Sequence, residues 1–483
     1  SAFELKNRIE GELDMTIPIS KFLRAPTIVE LSTVVSSEIE KLAAIERQKA
    51  NDQKSGKTGG VSSNLDTDGM ILSDRQEKQI AASLGRLTSN SGRQSFINSV
   101  ALRVNDEVQE SAVQSAMSKI AKRHRGILAQ VNMNDDQSDQ LVTYSRKSAK
   151  IQEWTSNSQS PEVNIEAGEL FAVEIKPFEN STDIRLSAHS AVFDRWSLHA
   201  IAEELLLVLS GEKLPSMTRK SKYASLIDAR SFDMDNPIAS GHRSFWHYAS
   251  QPLVESVAIA GRRRPIANVL EGTDPGHPHA YDVDLRLTKS AKPTIAKLLN
   301  CHVRSLGEAL GKTLHYSGPL LINAKLENRE AGSDVGTAVG AFDGEYPILL
   351  QNHAAHSNQL VRIVNSMDDH LAFDMYSFAD QFADEVERKR AALSQFTLSI
   401  RMEGDAHPLE LMLNRGSASI GAFTVEKLET SQPPIRSDIQ LELVVSEDAV
   451  QAKLICDSKV IGEETAWALV GNIAGSRNLV AAK

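Results

Sequence analysis

Residues 182–199, TDIRLSAHSAVFDRWSLH, carry the reading that decides the fold. Ile184, Leu186 and Ala188 alternate with Arg185, Ser187 and His189, the period-two pattern of a strand with an apolar side and a polar side. Beyond Trp196 the period changes, and SLHAIAEELLLVLSG reads as a helix. The strand therefore delivers His189, Ser190 and Asp194 into a strand-to-helix turn, a frequent place for chemistry. These three are the candidate catalytic residues.

The same alternation of strand and helix extends outward from this point. Before it, RQEKQIAASLGRL reads as a helix, QSFINSVALRVN as a strand, SAVQSAMSKIAKRHRGIL as an amphipathic helix ending in basic residues, and ELFAVEIKPF as a strand. After it, a second region opens near Ser244 with SFWHYASQPL. The stretch from Ala280 to Gly318 predicts a strand and two helices, and LLINAKLENR predicts another strand. SDIQLELVVSEDAVQAKLICDS predicts a hairpin with Ile439, Leu441 and Leu443 on one face, followed by a closing helix from Glu463 to Ile473. No fixed-period repeat is visible, and the expected class is α/β (α+β).

The beginning of the sequence is different in kind. Phe3, Leu5, Ile9 and Leu13 fall near one face of a helix, and Pro26 opens a longer one over PTIVELSTVVSSEIEKLAAI. Ser1 stands directly inside the first helical pattern with no preceding cap, which reads as a processing boundary in a longer chain. Residues 44–68 are polar and Gly/Ser-rich towards their end and read as a flexible linker. GKT at 56–58 is not a phosphate loop, because that motif needs glycine five positions before Gly56 and Asn51 is there.

Composition excludes several classes. A net charge of -10 argues against a nucleic-acid surface, which needs clustered Lys and Arg, and the run Arg262, Arg263, Arg264 beside Pro265 reads as a solvated loop. Cys301 and Cys456 form neither a CxxC nor a Cys/His ligand pattern, so no disulfide framework or zinc site is expected and a reducing cytoplasm fits. The apolar run Leu205 to Leu209 is far short of a membrane span, and no signal-peptide pattern is present.

Residues 1–43 resemble the C-terminal part of a polyketide-synthase acyl carrier domain, through AFELKNRIE and IPISKFLRAPTIVEL. The resemblance implies a 4'-phosphopantetheine cofactor on a serine just upstream, with Ser1 occupying the spacer after the attachment motif. Residues from 69 onward resemble the condensation domains of nonribosomal peptide synthetases and hybrid synthases. Six stretches agree in order: LSDRQEKQ, KIAKRHRGIL, GELFAVEI, LHYSG with INAKLENR, DVGTAVGAFDGEYPI and RSDIQLELVVSED. The resemblance implies the two-lobed chloramphenicol-acetyltransferase-like fold, with lobes at 69–235 and 236–483. It also implies acyl carrier domains, a carrier-bound polyketide chain and a trans-acting enzyme or downstream module as partners, with no nucleic acid and no membrane.

The family signature is HHxxxDG, and AHSAVFDRWS takes its place. His189 matches the first His and Asp194 the Asp, whereas Ser190 replaces the second His and Arg195 the Gly. A carrier-bound thioester is attacked by an amine or hydroxyl that must lose a proton, and an imidazole base is typically worth about a hundred- to ten-thousand-fold. A serine hydroxyl cannot supply that unaided. Arg195 is expected to pair with Asp194 or Glu203 or to project into the substrate tunnel, and His302, His315, His353 and His356 are candidate replacement bases. Ser190 as a nucleophile lacks a GxSxG elbow. The leading expectation is a noncatalytic docking platform. The alternative is an active acyltransferase forming an amide or ester, and an epimerase of the same fold would need the missing His too.

Overall fold

The computed structural model describes residues 69–70, 76, 79, 80, 83, 94–132, 141–144, 149–154, 163–214, 278–285, 295–315, 320–327, 338–351, 354–355, 396–428, 437–446 and 449–475. The chain divides into Ser1–Asp68 and Gly69–Lys483, and every described residue belongs to the second unit. The carrier-like stretch 1–43, the linker 44–68, SFWHYASQPL, Arg262–264, His353 and His356 lie outside the described residues.

In chain order the elements begin with β1 (Gly69–Met70), β2 (Ile97–Val104), α1 (Glu110–Arg123), β3 (Ala129–Asn132), β4 (Leu141–Tyr144) and β5 (Ile151–Glu153). They continue with β6 (Phe171–Pro177), β7 (Thr182–His189), α2 (Arg195–Leu209), β8 (Pro278–Val283), α3 (Ile295–Thr313) and β9 (Leu320–Leu326). The remainder are β10 (Gly344–Gln351), β11 (Ala354–Ala355), β12 (Phe396–Met402), α4 (Pro408–Asn414), β13 (Ser417–Ile420), β14 (Phe423–Lys427), β15 (Ile439–Val445), β16 (Val450–Asp457) and α5 (Glu463–Gly475). Gln76, Gln79, Ile80 and Ser83 are helical, within the helix expected there.

Among the described residues two large sheets organise the molecule. One runs β13-β14-β2-β7-β6-β5, the other β11-β10-β9-β12-β15-β16-β8, and a small sheet runs β1-β4-β3. The first carries a core in which Leu102, Val104, Ile184 and Leu186 meet Met117 and Ile120 of α1 and Leu198, Ile201 and Leu205 of α2. The second has its own core, where Ile322, Ala324, Leu398, Leu441 and Leu454 meet Leu299, Val303 and Leu306 of α3 and Leu469 of α5. Each such buried Leu or Ile is worth about 2 kcal/mol in area removed from water, which gives two lobes with separate hydrophobic centres.

The lobes exchange chain. After β12 the backbone leaves the second sheet, forms α4, and adds β13 and β14 to the first sheet, where Val425 pairs with Val104. Leu409, Leu413 and Val425 are buried in the first core, so the crossover is held by burial as well as by its ladder. It then returns as β15, parallel to β12.

Two local expectations change. α1 stops at His124, and Arg125–Leu128 continues as a 3-10 turn. Gly126 is pressed there against the loop after β7, where an added Cβ would lie 2.9 Å from Phe193 Cζ. The two helices expected between Ala280 and Gly318 are one: α3 is continuous over Ile295–Thr313. No proline interrupts that span, and Gly307 stays within the helix because its bare Cα admits Leu350, whose Cδ1 would lie 2.2 Å from a Cβ.

Candidate functional site

β7 is the foundation of the site, and it is buried on both sides along its whole length. Ile184, Leu186 and Ala188 enter the first core, as the alternation requires. The polar side is buried as well, against the half-buried strand expected, because its charges are neutralised in place. Arg185 and Glu174 are each 1 % exposed and form a two-point ion pair, in which Arg185 Nε donates to Glu174 Oε2 at 2.6 Å. The Trp154 ring lies 4.4 Å from the guanidinium carbon.

At the strand end His189 is fully buried, its ring stacked on Phe96 at 5.8 Å. His189 Nδ1 accepts from the Ala191 amide at 3.1 Å, which places the neutral ring's proton on Nε2. Its carbonyl accepts from Val192 and Phe193 and turns the chain sharply out of the sheet. Ser190 follows in the place of the second His. Its Oγ accepts from Gln79 Nε2 at 2.6 Å, and its amide donates to the Phe96 carbonyl. One turn earlier, Gln76 Nε2 donates to the Ala191 carbonyl at 2.7 Å. The opening helix thus grips the motif loop with two glutamines three residues apart, both buried.

Asp194 caps α2. Oδ1 accepts from the Ser197 amide at 2.8 Å, where a carboxylate meets both the unpaired amides and the positive end of the helix. Oδ2 accepts from the Phe342 amide at 3.1 Å, Asp194's own amide donates to the Gly340 carbonyl, and Ser197 Oγ exchanges two hydrogen bonds with Gly340. The motif aspartate therefore fastens the first lobe to the segment entering β10.

Arg195 pairs with neither Asp194 nor Glu203. Its Nη2 lies 2.9 Å from Glu410 Oε1 on α4, and Arg401 Nη1 donates to the same oxygen at 2.8 Å. Glu203 instead faces His407 Nε2 at 3.5 Å. Burial works to raise the Glu410 carboxyl, but Arg195, His199 and Arg401 overcome it and hold the group down at about 2. Nearby, burial pushes His199 down to about 4, and His199 Nδ1 meets the Arg195 carbonyl at 2.9 Å. Burial and the Asp343 carboxylate push Glu327 up to about 8.

Of the candidate replacement bases, only His302 and His315 lie among the described residues. His302 lies on α3, which covers the apolar face of the second sheet, and burial holds it down at about 4. His315 is exposed just beyond α3. The residues that sequence reasoning missed are Gln79, His199, Arg401, His407 and Glu410. Two signals could have found some of them: Gln79 closes the quoted stretch LSDRQEKQ, and His199 lies four residues after Arg195 on the predicted helix. No group of three or more His, Cys, Asp or Glu able to hold a metal occurs among the described residues, nor does a helix long and apolar enough to cross a membrane.

No protein-family profile and no curated protein sequence matches the chain. Solved structures do. The X-domain from teicoplanin biosynthesis is similar over 86% of this chain and 96% of its own, at 15% identity and a TM-score of 0.59. The same domain in its complex with OxyB is similar over 86% and 93%, at 17% identity and a TM-score of 0.59. The starter condensation domain of rhizomide synthetase RzmA, as a point mutant in complex with C8-CoA, is similar over 86% and 95%, at 11% identity and a TM-score of 0.59. The chain thus has the fold of condensation-type domains, as the ordered stretches implied.

Proposed function

We propose that this domain is a noncatalytic member of an assembly line, keeping the condensation fold as a platform that docks an acyl carrier domain or a partner enzyme. The carrier domain would present a polyketide chain on a 4'-phosphopantetheine arm, in a modular polyketide synthase or hybrid line. One observation carries the reading. Where a general base is needed stands Ser190, whose hydroxyl is engaged by Gln79 at 2.6 Å.

The surroundings agree. His189 Nδ1, Ser190 Oγ, both Asp194 oxygens and the Arg195 guanidinium are each committed to bonds that shape the loop. The X-domain solved in complex with OxyB gives a precedent for a condensation-type fold that binds another protein. The competing reading, an amide- or ester-forming acyltransferase, draws on the equally similar starter condensation domain.

Titration of the full chain with an acyl-loaded carrier domain and with candidate tailoring enzymes, followed by calorimetry and intact mass together, tests the proposal. Saturable binding with the acyl group left on the carrier is expected. Absence of binding to any of them removes the platform role, and rapid loss of the acyl group supports the acyltransferase.

A further inference from the structure

Arg195 puts a long cation where the resembled motif has glycine, and the structure gives that cation a use. Glu410 Oε1 receives Arg195 Nη2 at 2.9 Å from one side and Arg401 Nη1 at 2.8 Å from the other. The three residues belong to three different parts: α2 of the first lobe, the crossover helix α4, and the end of β12 in the second lobe. Glu410 is 4 % exposed, so its bonds are shielded from water and salt far better than a surface pair's. His199, one turn along α2, faces the other carboxylate oxygen at 3.8 Å.

The same helix start is fastened on its other side. Asp194 and Ser197 bond to Phe342 and Gly340, which lead into β10. The first turn of α2 is therefore held by the second lobe at two separate points, one through backbone amides and one through the charged bridge.

We infer that Arg195 is the pin of an interlobe lock: through Glu410 it clamps the crossover helix α4 between α2 and β12 and fixes the joint where the motif loop sits. The replacement of glycine is then a gain of a structural bond. A joint held on both sides keeps the lobes and crossover in one arrangement, whether or not the domain catalyses anything. Arg195 acts here as a positioning residue.

Hydrogen exchange of the full chain, read by mass spectrometry on peptides covering α4, tests the lock. Arg195→Ala is the main variant, because alanine suits the first turn of α2 and leaves that helix intact. It should speed exchange in 408–414 by about ten-fold while β2 and β7 stay protected, and Arg195→Gly should do the same. Glu410→Gln should match it, and adding Arg195→Ala to Glu410→Gln should bring little more, as expected for two ends of one bond. Unchanged exchange in α4, additive effects, or a uniform rise through both sheets would each overturn the inference.

Discussion

Ser190 and Gln79 show how a single position changes its meaning in context. The sequence marks Ser190 as a lost base, since a hydroxyl stands where the motif needs an imidazole. Its partner was not legible there, because a pair 111 residues apart leaves no local signal. Removing the hydroxyl deletes one buried hydrogen bond, so Ser190→Ala should cost about 1–2 kcal/mol, measured by urea unfolding with an unchanged slope. Introducing an imidazole is harder, because Gln79 occupies the space beside it. Ser190→His alone should lower the thermal midpoint, and Gln79→Ala should recover part of that loss in the double variant. Additive losses would show that the two side chains do not share a site.

Asp194 was legible in the sequence as a member of the motif, whereas its cap on α2 and its bond to Phe342 were not. The cap and the Phe342 bond together predict a cost of about 2–3 kcal/mol for Asp194→Ala by chemical denaturation. Asp194→Asn keeps a capping oxygen and should cost less. An equal loss in both variants would mean that the negative charge, rather than the cap, is what matters.

At the scale of elements, β7 and the β15–β16 hairpin followed directly from period-two patterns, and both formed in the expected register of faces. The crossover did not. α4 has seven residues and β13 four, too short for a periodic signal, and their partners lie in the opposite half of the chain. The contact between the 3-10 turn and the motif loop is also invisible until both are folded. Gly126→Ala places a methyl group 2.9 Å from the buried Phe193 ring and should destabilise by about 1–3 kcal/mol in thermal or urea unfolding. No effect would show that the loop yields at little cost.

For the whole molecule, the buried ionisable groups set a pH profile. His199 and His302 titrate near 4 in the fold against 6.5 in the unfolded chain, so below 6.5 the unfolded state takes up protons that the native state refuses. Stability should fall from pH 6.5 towards 4, by about 3 kcal/mol for each histidine at the limit. Glu410 adds a further loss between 4.5 and about 2. Glu327 works in the opposite sense: its native value near 8 lies above the unfolded 4.5, so its contribution is lost as pH rises through that window. The two histidines outweigh Glu327 between 4.5 and 6.5; above 6.5 Glu327 works against stability, and above 9 the Cys456 thiol, which burial pushes up to about 12, joins it. A stability maximum near pH 6.5 is expected in urea titrations, and Glu327→Gln should flatten the alkaline side.

The two-lobed fold was legible because six short stretches fall in one order, and the structure has that fold. What the motif does inside it depends on partners brought from distant parts of the chain: Gln79 from the opening helix, Gly340 and Phe342 from the segment before β10, and Glu410 from the crossover. Together they tie the motif loop to the opening helix, the second lobe and the crossover. The most direct test supplies the full chain with an acyl-loaded carrier domain and an amine or alcohol acceptor, and follows the carrier by intact mass. The acyl group should remain on the carrier at the rate seen without protein. Saturable transfer to the acceptor at enzymatic rates would contradict the noncatalytic account.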